Sequence, residues 1–257
     1  MIDYEVRGNV ALITINRPEA RNAVNAQWAT EMEAALDQLE NDGSLRVGVL
    51  RAITTGDRPV FCAGADLKAI NSGDGGKIGT ARGGFGGIVY RERTKPLIVV
   101  VDGLATAGGC EIVLSVDLVV ATKRSSFGLA EVKRNLIAGA GGLFRLPQAI
   151  GKAAAMEAIL TGEPLSAQRA YELGLVTRLV DEGTAEDVAF EIATKISAAA
   201  PMAVRESRKV VLASQYEDEA TLKTITNAAM SKVMASEDLR EGLTAFIEKR
   251  DPQWQDR

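Results

Sequence analysis

Leu97-Ile98-Val99-Val100-Val101-Asp102-Gly103-Leu104-Ala105-Thr106-Ala107-Gly108-Gly109-Cys110-Glu111 is the stretch on which the fold turns. Five apolar residues in an unbroken run after Pro96 read as a buried strand, Leu97–Val101. Small residues follow, and a helix is expected from about Gly108 to Ser115. The N–H groups at a helix start have no intrahelical acceptor. They attract negative charge, including charge that develops on a carbonyl oxygen. Glu111 falls in the first turn, within reach of anything bound at that end. An acid there is also a common helix-dipole residue, typically worth about 0.3–1 kcal/mol.

Working outward, Tyr4–Arg7 and Val10–Ile15 alternate around Gly8-Asn9, a hairpin signal. Asn25 is placed to cap a helix to about Glu40, with Trp28, Met32, Ala35, Leu36 and Leu39 on one face. Val47–Ile53 reads as a strand. Phe61 to Ile70 reads as a strand end, a small-residue turn and a short helix. Asn71 to Gly87 is Gly-rich and is expected to be a mobile loop, followed by a helix through about Thr94. Leu118–Ala121 is a further strand, and alternation continues through Phe127-Gly128. Strand, strand and helix repeat with long crossings between apolar strands, which predicts an α/β core. From Ala185 the strand signals stop. Helical periods over about 185–199, 202–214, 218–234 and 238–248 form an appendage whose apolar faces need a partner. The expected division is a core carrying the site over 1–195 and a helical region over 196–257.

The chain has 257 residues, enough to bury a large core without staples. Its net charge of −4 gives no global attraction to nucleic acid or to an anionic membrane. The N-terminal residues lack a basic-then-apolar leader, and no apolar run approaches the roughly 18 residues needed to cross a bilayer. Two cysteines, Cys62 and Cys110, make no disulfide framework, so a reducing cytoplasm is the expected compartment. Both are expected to be small packing residues. There are no histidines at all. That removes Ser–His–Asp and Cys–His nucleophiles and the common His-based zinc sites. Acid–base chemistry near neutrality then falls to carboxylates with shifted pKa values, or to Lys, Tyr or Cys.

Two other segments carry chemistry. Phe61-Cys62-Ala63-Gly64-Ala65-Asp66-Leu67-Lys68 leaves its backbone unshielded, so a ligand can lie against its N–H groups, with Asp66 near a helix start. A tight strand-to-helix turn reads equally well. Ser126-Phe127-Gly128-Leu129-Ala130-Glu131-Val132 sets Glu131 among apolar neighbours, which raise a carboxyl pKa, and Ile137-Ala138-Gly139-Ala140-Gly141-Gly142 turns sharply beside it. A solvent-facing Glu paired with Lys133, Arg134 or another nearby base is the plain alternative.

In their order and spacing, these segments resemble the enoyl-CoA hydratase/isomerase (crotonase) family. The likeness extends over nearly the whole chain through NRPEARNAVN, FCAGADLK, AGGCE, FGLAE with IAGAGG, TGEPLSAQRAYELGLV and FIEKRDPQW. It implies a spiral of repeated β-β-α units with a C-terminal helical trimerisation region, assembled as a homotrimer or a pair of trimers. It implies an oxyanion hole from the N–H groups of Ala65 and Gly108, and two catalytic acids. Glu131 would exchange the proton at the α-carbon, Glu111 would activate water, and the N–H of Gly139 would hold that water. CoA, arriving as part of the substrate, is expected against Ala63, Ala65, Asp66, Leu67 and Lys68. Ala20 and Arg21 would lie near its pantetheine and phosphates, and Phe246 and Lys249 would reach the nucleotide from a neighbouring subunit. No metal and no redox cofactor are implied. The activity implied is hydration of an enoyl-CoA, within lipid metabolism. An isomerase, a carnitinyl-CoA-type dehydratase and a non-catalytic acyl-CoA-binding subunit are the alternatives. Gly83-Gly84-Phe85-Gly86-Gly87 resembles the carnitinyl-CoA dehydratases. Three positions depart from the family pattern: Ala107 where relatives carry Gly, Leu129-Ala130 for Gln-Pro, and Ala138 for Pro.

Overall fold

The computed structural model describes residues 1–69, 71 and 75–257. The chain opens with the hairpin β1 (Ile2–Arg7) and β2 (Val10–Ile15), then helix α1 (Ala26–Asn41). Three turns of a spiral follow. The first is β3 (Val47–Ala52), β4 (Val60–Cys62) and the single turn α2 (Leu67–Ala69), and after it comes a small hairpin, β5 (Gly79–Thr80) and β6 (Gly84–Phe85). The second is β7 (Leu97–Val101), β8 (Leu104–Thr106) and α3 (Gly108–Leu114). The third is β9 (Leu118–Thr122) and β10 (Ser126–Gly128), continued by α4 (Gly142–Ile150) and α5 (Lys152–Thr161). Then come β11 (Leu165–Ser166), α6 (Ala167–Glu172), β12 (Arg178–Val180) and the helices α7 (Ala185–Ala198), α8 (Pro201–Ala213), α9 (Glu219–Met234) and α10 (Glu237–Glu248).

Each turn of the spiral gives one long strand to one sheet and one short strand to another. The larger sheet has the order β1-β2-β3-β7-β9-β12, parallel throughout except for the β1–β2 hairpin. The smaller has the order β11-β10-β8-β4, with β4, β8 and β10 parallel. The run Leu97–Val101 is buried at every residue because helices cover both faces of its sheet. On one face Val10, Leu12, Val47, Val49, Ile98, Val100 and Val120 meet Ala185, Ala189 and Ala193 of α7. Alanines at a spacing of four let that helix lie close on the strands. The other face joins the main core with α1, whose expected face is buried in full. The Asn25 side chain caps α1 by accepting from the Trp28 N–H at 2.9 Å, worth about 1 kcal/mol.

Two expectations change. Residues 75–87 form a 3-10 turn (Gly75–Lys77) and the β5–β6 hairpin rather than an open loop, while the expectation for Ile70 and residues 72–74 lies outside the described residues. The helix expected up to Thr94 is a series of turns. Gly86 and Gly87 have φ of +60° and +64°, and the Glu40 carboxylate takes the N–H groups of Thr94 and Lys95, both at 3.0 Å. In a helix those donors would go to carbonyls four residues back. The elements from α4 to β12 had no separate reading in the sequence.

In the tail, α7 lies on the sheet, and α8 to α10 follow it. The last residues fold back onto them: Asp256 pairs with Arg205 at 2.6 Å, and the Asp238 carboxylate accepts from the N–H groups of Gln255 and Asp256. The outer faces of α9 and α10 stay open, with Met230, Met234, Leu243, Phe246 and Ile247 exposed. Among the described residues no helix is long and apolar enough to cross a membrane.

Candidate active site

Parallel neighbours in a sheet end on the same edge, and this brings the three chemistry-bearing segments together. Ala63–Asp66 leaves β4, Ala107–Gly108 leaves β8, and Leu129–Glu131 leaves β10. The exits are tied to one another. The Ala107 N–H donates to the Gly128 carbonyl at 2.8 Å. Val24 bridges Ala65 by donating to the Gly64 carbonyl and accepting from the Asp66 N–H. A parallel bridge made this way engages the residues on either side of Ala65 and turns its own N–H outward.

That N–H and the N–H of Gly108 have no acceptor among the described residues. The helix start at α3 has no side-chain cap, because the capping position is held by Ala107. The two loops pack closely, since a Cβ built on Gly64 would lie 3.0 Å from the Gly108 nitrogen. Over Gly108 lies the ring of Phe85, 2.4 Å from where a Cβ would stand, and a Cβ on Gly109 would meet the Cys62 carbonyl at 2.1 Å. Glycine is therefore required at 109, while a side chain at 108 would displace the Phe85 ring.

Glu111 is buried, only 3% exposed. Its Oε1 accepts from the N–H of Ala140 at 2.7 Å and of Gly142 at 2.9 Å, and its Oε2 accepts nothing from the described residues. Burial pushes its carboxyl up to about 7, with the Glu131 charge adding to the rise and the two N–H bonds and Arg145 opposing it. Glu131 is half-buried at the start of a 3-10 turn (Glu131–Arg134), and its Oε2 is enclosed without a hydrogen-bond partner among the described residues. Burial raises this carboxyl as well. Lys133 pairs with Glu163 instead, while the Arg134 charge draws the Glu131 carboxyl down against the rise from burial.

The remaining expected site residues divide into groups. Ala63 donates its N–H to the Arg21 carbonyl at 3.1 Å, so Ala20 and Arg21 lie beside the first segment. Leu67 and Lys68 are exposed there. Asp66 serves the protein itself: Arg17 holds one oxygen at 2.8 Å, and the N–H groups of Lys68 and Ala69 take the other. The arginine beside it holds its carboxyl below the usual range. Gly139 is exposed in the turn that embraces Glu111, and its carbonyl accepts from the Tyr90 hydroxyl at 3.1 Å. Phe246 is 84% exposed on α10, and Lys249 caps that helix in the left-handed conformation. No hydrogen bond or ion pair joins either of them to Ala63–Lys68 among the described residues. Cys62 and Cys110 are buried, and burial pushes Cys62 up to about 12 and Cys110 higher, which makes both poor nucleophiles.

The structure adds residues not singled out as site residues in the sequence: Phe85, Tyr90 and Arg145, with the amides of Ala140 and Gly142. A cavity of about 1060 Å³ opens beyond Tyr90 and Arg145, between the core and α8. Among the described residues no group of three or more His, Cys, Asp or Glu side chains is placed to hold a metal.

The enoyl-CoA hydratase/isomerase family model matches residues 5–257. This chain belongs to that family. A short-chain-enoyl-CoA hydratase of Clostridium acetobutylicum is 36% identical, over 96% of this chain and 94% of the relative. A carnitinyl-CoA dehydratase of Proteus mirabilis is 34% identical over 98% and 97%. The crystal structure of an enoyl-CoA hydratase from Mycobacterium tuberculosis superposes with a TM-score of 0.93 at 43% identity, covering 100% of this chain and 99% of that one. The fold is therefore the crotonase fold of this family.

Of the three departures from the family pattern, Ala107 carries a visible consequence. It has φ +51° and ψ −129°, a conformation glycine adopts freely and alanine does not, and it still accepts from the N–H groups of Cys110 and Glu111. Leu129 and Ala138 are buried packing residues, and both stand against Gly142 beside Glu111.

Proposed function

We propose that the chain is an enoyl-CoA hydratase-like hydro-lyase that reversibly adds water, syn, to a 2-enoyl-CoA thioester. One observation carries the reading. Two carboxyls raised by burial, Glu111 also by the charge of Glu131, sit where three strand exits also present two unengaged amides. The N–H groups of Ala65 and Gly108 receive the thioester oxygen and draw electron density onto it, which makes the β-carbon electrophilic. Loss of one such donor typically lowers the rate about 10²–10³-fold. Glu111 is assigned to water, because its Oε1 is fixed by two N–H donors that stabilise the carboxylate while Oε2 is left for the nucleophile. Glu131, with its enclosed and unpartnered oxygen, is assigned the proton that passes to the α-carbon. The N–H of Gly139 is assigned to the same water. A double-bond isomerase needs one such acid, and the presence of two favours hydration.

CoA is placed along Ala20, Arg21, Ala63, Ala65, Leu67 and Lys68, with Asp66 supporting that segment. Phe246 and Lys249 of a neighbouring subunit in a homotrimer would complete the site. The reading includes no metal or redox cofactor, a cytoplasmic enzyme, and a role in lipid metabolism. The cavity beyond Tyr90 is lined by neither Glu111 nor Glu131, and most of its basic side chains are paired, so the carnitinyl-type dehydratase and the isomerase both stand as alternatives.

The test is a panel of 2-enoyl-CoA and 3-hydroxyacyl-CoA thioesters assayed by product chromatography. Hydration of a neutral enoyl-CoA, abolished by Glu111→Gln or Glu131→Gln, is the expected result. Turnover untouched by both substitutions would overturn the reading in favour of a binding-only role or another site.

A further inference from the structure

Glu111 owes its orientation to the turn 139–142, and that turn is held from behind. Arg145, on the first turns of α4, donates from Nη2 to the Val89 carbonyl at 2.7 Å and from Nη1 to the Ala140 carbonyl at 3.4 Å. Its guanidinium lies over the rings of Tyr90 and Phe144, 5.3 and 5.4 Å from their centroids. It also fits against bare Gly141, where a Cβ would stand 2.5 Å from Nη1 and where φ is +108°. Tyr90 in turn donates its hydroxyl to the Gly139 carbonyl. Residue 140 is thus gripped on both sides: its carbonyl by Arg145, its N–H by Glu111. No carboxylate pairs with this guanidinium among the described residues, whereas Arg93 and Arg208 share Asp117 and Arg205 has Asp256.

We propose that Arg145 is a positioning residue for the reaction, a planar cation that clamps the 139–142 turn against the Val89–Tyr90 segment and so fixes Glu111 toward the substrate. The proposal rests on the hydratase reading for the word "reaction" but not for the clamp. A fork is suited to bonding two carbonyls while lying between two rings, and a lysine cannot reproduce all four contacts. The charge acts as well as the shape. Around Glu111 the charged groups are Glu131, which raises its carboxyl, and Arg145, which lowers it. Both loss of the cation and loosening of the Ala140 and Gly142 amides therefore move Glu111 upward.

The experiment compares wild type, Arg145→Met and Arg145→Lys in two ways. The first is a titration of the Glu111 carboxyl by ¹³C NMR on glutamate-labelled free protein, identified by its loss in Glu111→Gln. The second is the acidic limb of the kcat–pH profile for enoyl-CoA hydration. Arg145→Met is expected to raise both midpoints by about one unit and to lower kcat at neutrality about tenfold, with KM changed less than twofold. Arg145→Lys is expected to keep the midpoint within about 0.3 unit, while kcat still falls several-fold for want of the fork. A purely structural arginine would lower thermal stability and leave the midpoint in place, and that result overturns the proposal. If Arg145→Met does not fold, Arg145→Lys with unchanged kcat and unchanged midpoint overturns it equally. If wild type hydrates no enoyl-CoA, the hydratase reading fails, and the NMR arm still decides the clamp.

Discussion

Glu111 at the start of α3 and Phe246 near the end of α10 are treated by the same chain in opposite ways. Around Glu111 the space is filled: a ring sits on Gly108, a carbonyl lies where a Gly109 side chain would be, and two amides grip the carboxylate. Around Phe246 the space is open, with Leu243 and Ile247 beside it also exposed and no covering element among the described residues. The first region holds a charged group where burial works against it. The second leaves apolar surface in water, where burial would be favourable by roughly 25 cal/mol per Å². On the proposed reading, the acid–base centre is complete within one chain, while the tail leaves apolar surface open. The difference also locates where stability is given up.

The strongest test of the contrast is activity. Glu131→Gln and Glu111→Gln are each expected to lower hydration about 10²–10⁴-fold with the circular dichroism unchanged, whereas Phe246→Ser leaves both acids in place. If the glutamines retain wild-type turnover, the filled region is not the centre of chemistry. Next is stability against pH. The Glu111 carboxyl lies at about 7 in the folded chain against an ordinary value of 4.5. A raised folded value means that its contribution is fully present below about pH 4.5 and is lost as pH rises through about 7. Glu111→Gln is therefore expected to be more stable than wild type at pH 8, by on the order of 2–3 kcal/mol, and equal to it at pH 4. Urea unfolding at the two pH values measures this, and a difference of the same size at both would sink the explanation.

A smaller effect is expected from Ala107→Gly, which relieves the positive φ and is expected to add about 1 kcal/mol, seen as a higher urea midpoint. Least of all, Phe246→Ser is expected to change the stability of the single chain by less than about 0.5 kcal/mol. It should nonetheless weaken self-association in sedimentation. An unchanged sedimentation profile would mean that another surface covers the tail.

Much of this was legible in the residues because it depends on local pattern. The run Leu97–Val101, the Asn25 cap with its apolar face, and the four tail helices all appear within a residue or two of where periodicity placed them. The absence of histidine pointed to carboxylates before any fold was known. What stayed hidden was lateral. Residues up to Thr94 have an acceptable helical pattern, but the N–H groups of Thr94 and Lys95 go to Glu40, more than fifty residues away. Asp66 passes for a ligand-side acid until Arg17, 49 residues earlier, is brought beside it. Arg145 looks like any base on an amphipathic helix until Tyr90 and the 139–142 turn are brought beside it. A signal for the amides of Ala140 and Gly142 did exist in the small-residue run, but a run does not say which of its N–H groups faces inward.

The missing histidines have one more consequence. Most proteins carry imidazoles that take up and release protons between about pH 6 and 8 and mask everything else in that window. This chain has no imidazole background there, and the carboxyl raised to about 7 is the one at Glu111. Proton uptake on binding of a pantetheine thioester, which carries no titrating phosphate, thus becomes a label-free gauge of the 111–131 pair when read calorimetrically in buffers of different ionisation enthalpy.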